Sequence, residues 1–333
     1  MSPPGGLRVL LGRWREVRRE ARSLHQALGF FSLYVLFRLW GLIINCLPVE
    51  MSLHFGRAMG RMWWYISPRH RARALEHLRP SLGHRYGEAR LAEIARRSFE
   101  HFAQVFLVEL VMTPRLITPW SWSRYVELGN LDAALRLLLE RRGLIMITAH
   151  FGNFELLGYT ISRLGLPINA VMRPLDNPLL TDLLVQTRAS SGLSLLFKRG
   201  ASERFEQILD EGGALCFIAD QDAGRKGVFA DFFGRKASWY KSIGLLAMHK
   251  RVPVVVGHAV RTREGMHYRV EVERIIQPEE WEPQPDGLAW LTGQFAAALQ
   301  SAITRWPEQY LWMHRRWKTR PPEELRADAA SAS

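Results

Sequence analysis

Gly143-Leu-Ile-Met-Ile-Thr-Ala-His-Phe-Gly-Asn-Phe-Glu155 is the stretch from which the rest of the chain can be read. Leu144 to Thr148 is apolar, partly β-branched and of strand length, which predicts a buried strand. The strand ends at Ala149-His150, and Gly152-Asn153 offers a turn and a helix start ahead of Phe154, Leu156, Leu157 and Ile161. His150 therefore sits at the carboxyl end of a strand, and Glu155 in the first turn of the next helix. In an open α/β sheet that edge is where ligands bind. Across a strand-to-helix bend the two side chains are expected to fold back towards each other. A carboxylate on one imidazole nitrogen fixes the tautomer and raises the basicity of the other, making a general base for a hydroxyl. The same spacing also suits a helix cap with a surface ion pair, and residue types alone leave both readings open.

Working outward, apolar strand-length runs alternate with helical periodicity. Strands are expected at 122–128, 168–172, 193–197, 214–219 and 253–260, and an edge strand at 266–276. Helices are expected at 131–142, 179–192, 202–211, 242–250 and 288–305. This alternation predicts an α/β fold with a mostly parallel central sheet and helices on both faces. Upstream, residues 69–78 and 87–112 read as amphipathic helices, the second with Leu91, Ile94, Phe99, Phe102 and Phe106 at helical spacing. The division expected is a basic N-terminal segment with anchoring helices (1–66), an α/β domain (67–320) and a flexible tail (321–333).

The N-terminal segment differs in character. The first 100 residues hold 17 Arg, no Lys and 7 Glu, so +10 of the net +13 lies there. Ala27 to Leu47 is an apolar run long enough for a bilayer, interrupted by Arg38. Both of its flanks are basic, which draws both ends to the cytoplasmic side. A helix dipping into the inner leaflet, packed with the Met51–Tyr65 segment, satisfies this better than a full crossing. A basic excess suits nucleic acid or anionic lipid. Beside an apolar segment it points to an anionic membrane surface, and no nucleic-acid-binding module is visible. Two cysteines, Cys46 and Cys216, make no disulfide framework or metal spacing, and no metal or cofactor is predicted. No Gly-x-Ser-x-Gly elbow is present, which argues against a serine hydrolase.

Other polar groups end strands at the same edge. Arg173-Pro-Leu-Asp-Asn177 follows one, and its Arg suits phosphate or carboxylate. Asp220-Gln221-Asp222 follows another; two carboxylates there could hold a metal, orient a base, contact sugar hydroxyls or cap a turn.

The hexapeptide His150-Phe-Gly-Asn-Phe-Glu155 after a buried strand resembles the His-x4-Asp/Glu signature of glycerolipid acyltransferases, most closely the lipid A lauroyl/myristoyl branch. Asp220-Gln-Asp222, Phe229-Ala-Asp-Phe-Phe-Gly234 and the closing Pro307–Lys318 segment are similar to the same family. The resemblance implies a membrane-associated O-acyltransferase. Its donor would be an acyl thioester of acyl carrier protein or coenzyme A, and its acceptor a glycolipid hydroxyl. It implies the cytoplasmic face of a bacterial inner membrane. It assigns His150 as base and Glu155 as its partner, with Arg173, Asn177, Arg188, Asp220, Gln221, Asp222 and His314 at the substrate. Backbone amides at Gly152-Asn153 would face the oxyanion. The chain departs from the family at Ser238-Trp-Tyr-Lys-Ser-Ile-Gly244, where Trp239 and Tyr240 are expected to alter the acyl pocket or acceptor groove. Another lipid acceptor (a phosphatidylinositol mannoside, an aminolipid or a lysophospholipid) and a catalytically silent lipid-binding protein are the alternative readings.

Overall fold

The computed structural model describes residues 6–166, 168–197 and 202–324. Residues 1–5 of the basic segment and 325–333 of the expected tail lie outside that range. Nine strands are named in chain order: β1 (Val126–Leu128), β2 (Leu144–Thr148), β3 (Ile168–Met172), β4 (Ser194–Phe197), β5 (Ala214–Ile218), β6 (Val228–Phe232), β7 (Arg235–Trp239), β8 (Val254–Arg263) and β9 (His267–Ile276). The helices are α1 (Gly6–Glu20), α2 (Leu24–Cys46), α3 (Val49–Ile66), α4 (Pro68–Leu82), α5 (Glu88–Gln104), α6 (Leu110–Leu116), α7 (Asp132–Leu139), α8 (Phe154–Arg163), α9 (Pro178–Ala189), α10 (Ser202–Asp210), α11 (Lys241–Lys250), α12 (Pro278–Trp281) and α13 (Gly287–Arg305).

Seven strands form one sheet in the order β1-β9-β8-β2-β5-β3-β4, parallel throughout except where β9 runs against β8. The expected parallel sheet is present, but β9 is internal, because β1 pairs outside it. β1 lies within the strand expected at 122–128 but keeps only its last three residues, Trp122–Arg124 forming a 3-10 turn. Side chains alternate across β2: Ile145 and Ile147 join a core with α11 and α13, while Leu144 and Met146 join another with α7 and α8. Helices therefore cover both faces. The β6–β7 hairpin forms a separate two-stranded sheet over residues 228–239.

At the N-terminus α3 lies along α5 rather than along α2. Gly56 and Gly60, four apart on α3, let the helices approach so closely that a Cβ on Gly60 would stand 2.5 Å from the Glu100 Cα. α2 packs instead on α1, α6 and α9, meeting α3 lightly where Trp40 reaches Phe55. Ala27, Tyr34 and Ile44 make a single narrow buried stripe on α2. Its other faces expose Leu24, Leu28, Leu33, Leu36, Leu39, Leu42 and Ile43. α2 is the one described helix long and apolar enough to cross a membrane.

The helix expected over 87–112 is broken by a π turn, Val105–Glu109, between α5 and α6. Glu109 at its end is fully buried, while Phe106 and Leu107 are partly exposed, Phe106 along the cavity described below.

Candidate active site

Because β2 and β5 run parallel and in register, Thr148 pairing Ile218, their carboxyl ends bring His150 and Asp220 to one point. Asp220 Oδ1 accepts from His150 Nδ1 at 2.8 Å, and Oδ2 accepts from the His150 backbone N–H at 3.1 Å. Asp220 is fully buried. Burial alone would lower the His150 pKa, but the Asp220 carboxylate outweighs it and holds the imidazole above its ordinary value. Burial likewise pushes Asp220 up, and His150 more than reverses the shift. An ionised carboxylate only accepts, so Nδ1 carries the proton and Nε2 is left as the basic nitrogen.

Glu155 does not make that contact. Its carboxylate takes both Nε (2.9 Å) and Nη2 of Arg188 from α9, a two-point ion pair that is largely buried. Glu155 acts on His150 only through space, adding a weaker pull in the same direction as Asp220. The expected imidazole–carboxylate contact thus exists with a different partner. Strand register reaches across the sheet more directly than the first turn of α8 can fold back.

The Gly152-Asn153 turn is also used differently. Gly152 has φ +58°, and a Cβ there would stand 1.9 Å from the Ala259 carbonyl oxygen, so only glycine fits. The Gly152 N–H donates to Gln309 O (2.9 Å) and the Asn153 N–H to Ala259 O (2.8 Å), so neither faces an oxyanion. Asn153 caps α8 through Oδ1 to the Leu156 N–H. Helix geometry then leaves the Phe154 and Glu155 amides, at the positive end of α8, without intrahelical partners.

Below His150 lies a cavity of about 510 Å³. Its walls come from β2, β3, β5 and α8, including Met146, Ala170, Cys216, Phe217, Leu157 and Gly158. Ile161, Leu193 and Ile168, the first residue of β3, line it too. Arg173, Gln221, Glu155 and Arg188 join His150 as its polar lining.

The remaining expected residues divide. Gln221 and Arg173 reach the cavity mouth, Arg173 with 87% of its side chain exposed and a long 3.5 Å contact to Asp176. His314 stacks on His150 with ring centres 5.6 Å apart and planes at 25°, its buried Nδ1 without a hydrogen-bond partner; burial lowers its pKa. Asn177 caps α9 through the Leu179 N–H (3.0 Å), donates to Phe30 O of α2 (2.9 Å) and is not among the residues lining the cavity. Asp222 accepts from the Thr319 hydroxyl (2.8 Å) and backbone N–H (3.3 Å) and so holds the C-terminal segment. Trp239 and Tyr240 do not line the cavity. Trp239 is fully buried between Phe232, Phe295 and the Arg316 guanidinium.

Sequence reasoning passed over His101, Glu109, Arg261 and Tyr268, which pack behind the His150 turn. One signal was available: Glu109 is a lone carboxylate in the apolar run Val105-Phe-Leu-Val-Glu-Leu-Val111, and such a residue needs a buried partner.

Residues 17–319 match the family described as bacterial lipid A biosynthesis acyltransferase. The chain is 30% identical over 212 residues to the lipid A biosynthesis palmitoleoyltransferase of Escherichia coli, covering 62% of this chain and 67% of that one. It is 28% identical to the lipid A biosynthesis lauroyltransferase of the same organism, over 61% and 66% of the two chains. With a lipid A biosynthesis acyltransferase of Haemophilus influenzae it shares 28% identity over 84% and 88%. The family match spans most of the chain, and the chain belongs to the bacterial lipid A biosynthesis acyltransferase family.

Proposed function

We propose that this acyltransferase moves a fatty acyl chain from a thioester of acyl carrier protein or coenzyme A to a hydroxyl of a lipid A-type glycolipid precursor. The observation that carries the reading is the His150–Asp220 pair beside an apolar-walled cavity of about 510 Å³. The cavity takes the acyl chain and leaves its thioester carbonyl near His150. The acceptor oxygen attacks that carbonyl carbon while Nε2 of His150 takes the hydroxyl proton. The C–S bond then breaks, and the thiolate leaves with the proton from His150. A thiolate is a good leaving group, so no acyl-enzyme is needed. The Phe154 and Glu155 amides and the α8 dipole favour the oxyanion.

Glu155 and Arg188 act as a unit in this reading: the carboxylate fixes the guanidinium beside the cavity, where it meets a phosphate on donor or acceptor. Arg173 and Gln221 serve the acceptor at the mouth. The uncovered apolar faces of α2 support seating the protein on the inner membrane, with the site towards the cytoplasm and basic residues against anionic lipid.

The test is acyl transfer in detergent from a panel of acyl carrier protein and coenzyme A thioesters to a tetra-acylated lipid A precursor. Transfer by wild type and its loss in His150→Ala is the expected result. Equal activity in the variant would overturn the mechanism, and transfer only to other glycolipids or lysophospholipids would replace the acceptor.

A further inference from the structure

The His150–Asn153 turn rests on a buried polar cluster that the reaction itself does not use. Glu109, at the end of the π turn, is fully buried, and its carboxylate accepts from three elements. Asn153 donates Nδ2 to Oε2 at 2.7 Å, Tyr268 of β9 donates its hydroxyl at 2.5 Å, and Arg261 of β8 pairs with Oε1. Alongside, His101 Nε2 holds the Gly152 carbonyl at 3.0 Å.

The link to the site runs through one side chain. Asn153 caps α8 only while Oδ1 faces the Leu156 N–H, and its amide can turn over about χ2 with little intrinsic preference. A carboxylate at Nδ2 accepts a hydrogen bond and offers none, so it permits one orientation alone. Glu109 thereby ties the first turn of α8 to the sheet through Arg261 and Tyr268. That turn carries Phe154, whose ring meets His150 edge-on at 5.4 Å, and Glu155, which holds Arg188.

The geometry points to Glu109 as a positioning residue for acyl transfer: it orients the Asn153 cap and so fixes α8 relative to His150. This inference rests on the reaction proposed above. Displacement of reacting groups by ~1 Å from a remote change costs up to about 10²-fold in rate.

The experiment is a donor–acceptor swap. Glu109→Gln places an amide before the Asn153 amide, and Asn153→Asp removes the donor while keeping a cap acceptor. Each single variant is expected to lower kcat roughly 10- to 100-fold with little change in KM for the acyl thioester. The double variant Glu109→Gln/Asn153→Asp restores an amide-to-carboxylate hydrogen bond and is expected to recover most of kcat. Tyr268→Phe keeps the Asn153 link and removes one of the two ties to the sheet, so its kcat is expected to fall by less than that of either single variant at a temperature where all variants are folded.

Thermal melting is measured beside kinetics. Single variants that melt lower yet turn over at the wild-type rate while folded would overturn the inference and leave Glu109 a stability residue. Single variants impaired without rescue in the double would also overturn it. Should wild type acylate no acceptor, the proposed reaction fails instead. The positioning role is then read from the ring signals of labelled His150, which must shift in both single variants and return in the double; unchanged signals would refute it.

Discussion

Asp220 grips His150 twice, through the Nδ1 proton and through the backbone N–H, so side chain and main chain are fixed by one carboxylate. Asp220→Asn is expected to lower kcat by roughly 10²–10⁴-fold, as loss of a base's orienting group does. The base works when neutral, so activity falls as pH drops through its pKa. The carboxylate raises that pKa and burial lowers it, so removing the carboxylate moves the acid limb of the kcat/KM profile to lower pH. An unmoved limb would mean that Asp220 does not face the titrating imidazole.

Glu155 and Arg188 form a buried ion pair, and losing one partner leaves a charge in an apolar wall. Glu155→Ala and Arg188→Ala are each expected to reduce kcat/KM about tenfold or more, and the double variant no further than the worse single one. The acid limb of Glu155→Ala should remain close to that of wild type. A shift as large as that of Asp220→Asn would return the partner role to Glu155.

Gly158 lines the cavity, and a Cβ there would stand 3.6 Å from the Leu193 side chain, an ordinary contact. Gly158→Leu therefore fits locally while filling space meant for the acyl chain. The expected outcome is a shift of preference towards shorter acyl thioesters, read from kcat/KM across a chain-length series. An unchanged profile would place the chain elsewhere.

The exposed faces of α2 are a further test. Leu36→Glu, Leu39→Glu and Ile43→Glu together should release the protein from vesicles containing anionic phospholipid, measured by co-sedimentation, without lowering its melting temperature. Full retention on vesicles would shift the membrane contact to another surface.

His101 is buried behind the Gly152 turn, and desolvation, helped by Arg261, lowers its pKa to about 4. The folded state favours the neutral ring, so this contribution is intact above about pH 6.5 and is lost as pH falls towards 4. The loss approaches about 3 kcal/mol. His101→Gln keeps a donor for the Gly152 carbonyl, so its denaturant midpoint should fall less than that of wild type between pH 7 and 4. Parallel losses would show that His101 does not titrate with folding.

The division between sequence and tertiary structure is clearest at these residues. Local pattern sufficed for β2, β3, β5 and the helix after His150, because strand period, Gly-Asn turn chemistry and helical spacing are written in neighbouring positions. It sufficed for the apolar α2 and for the polar edge, since parallel strands end together. It could not choose between Glu155 and Asp220 as the imidazole's partner. One lies five residues away and the other seventy, and only strand register brings the second closer. Tertiary packing likewise took Asn177 and Asp222 for structural hydrogen bonds, occupied the Gly152 and Asn153 amides, and buried Trp239 in the core. Glu109 depended on it most: a carboxylate in an apolar run needs buried partners, and Asn153, Arg261 and Tyr268 reach it from 44, 152 and 159 residues away.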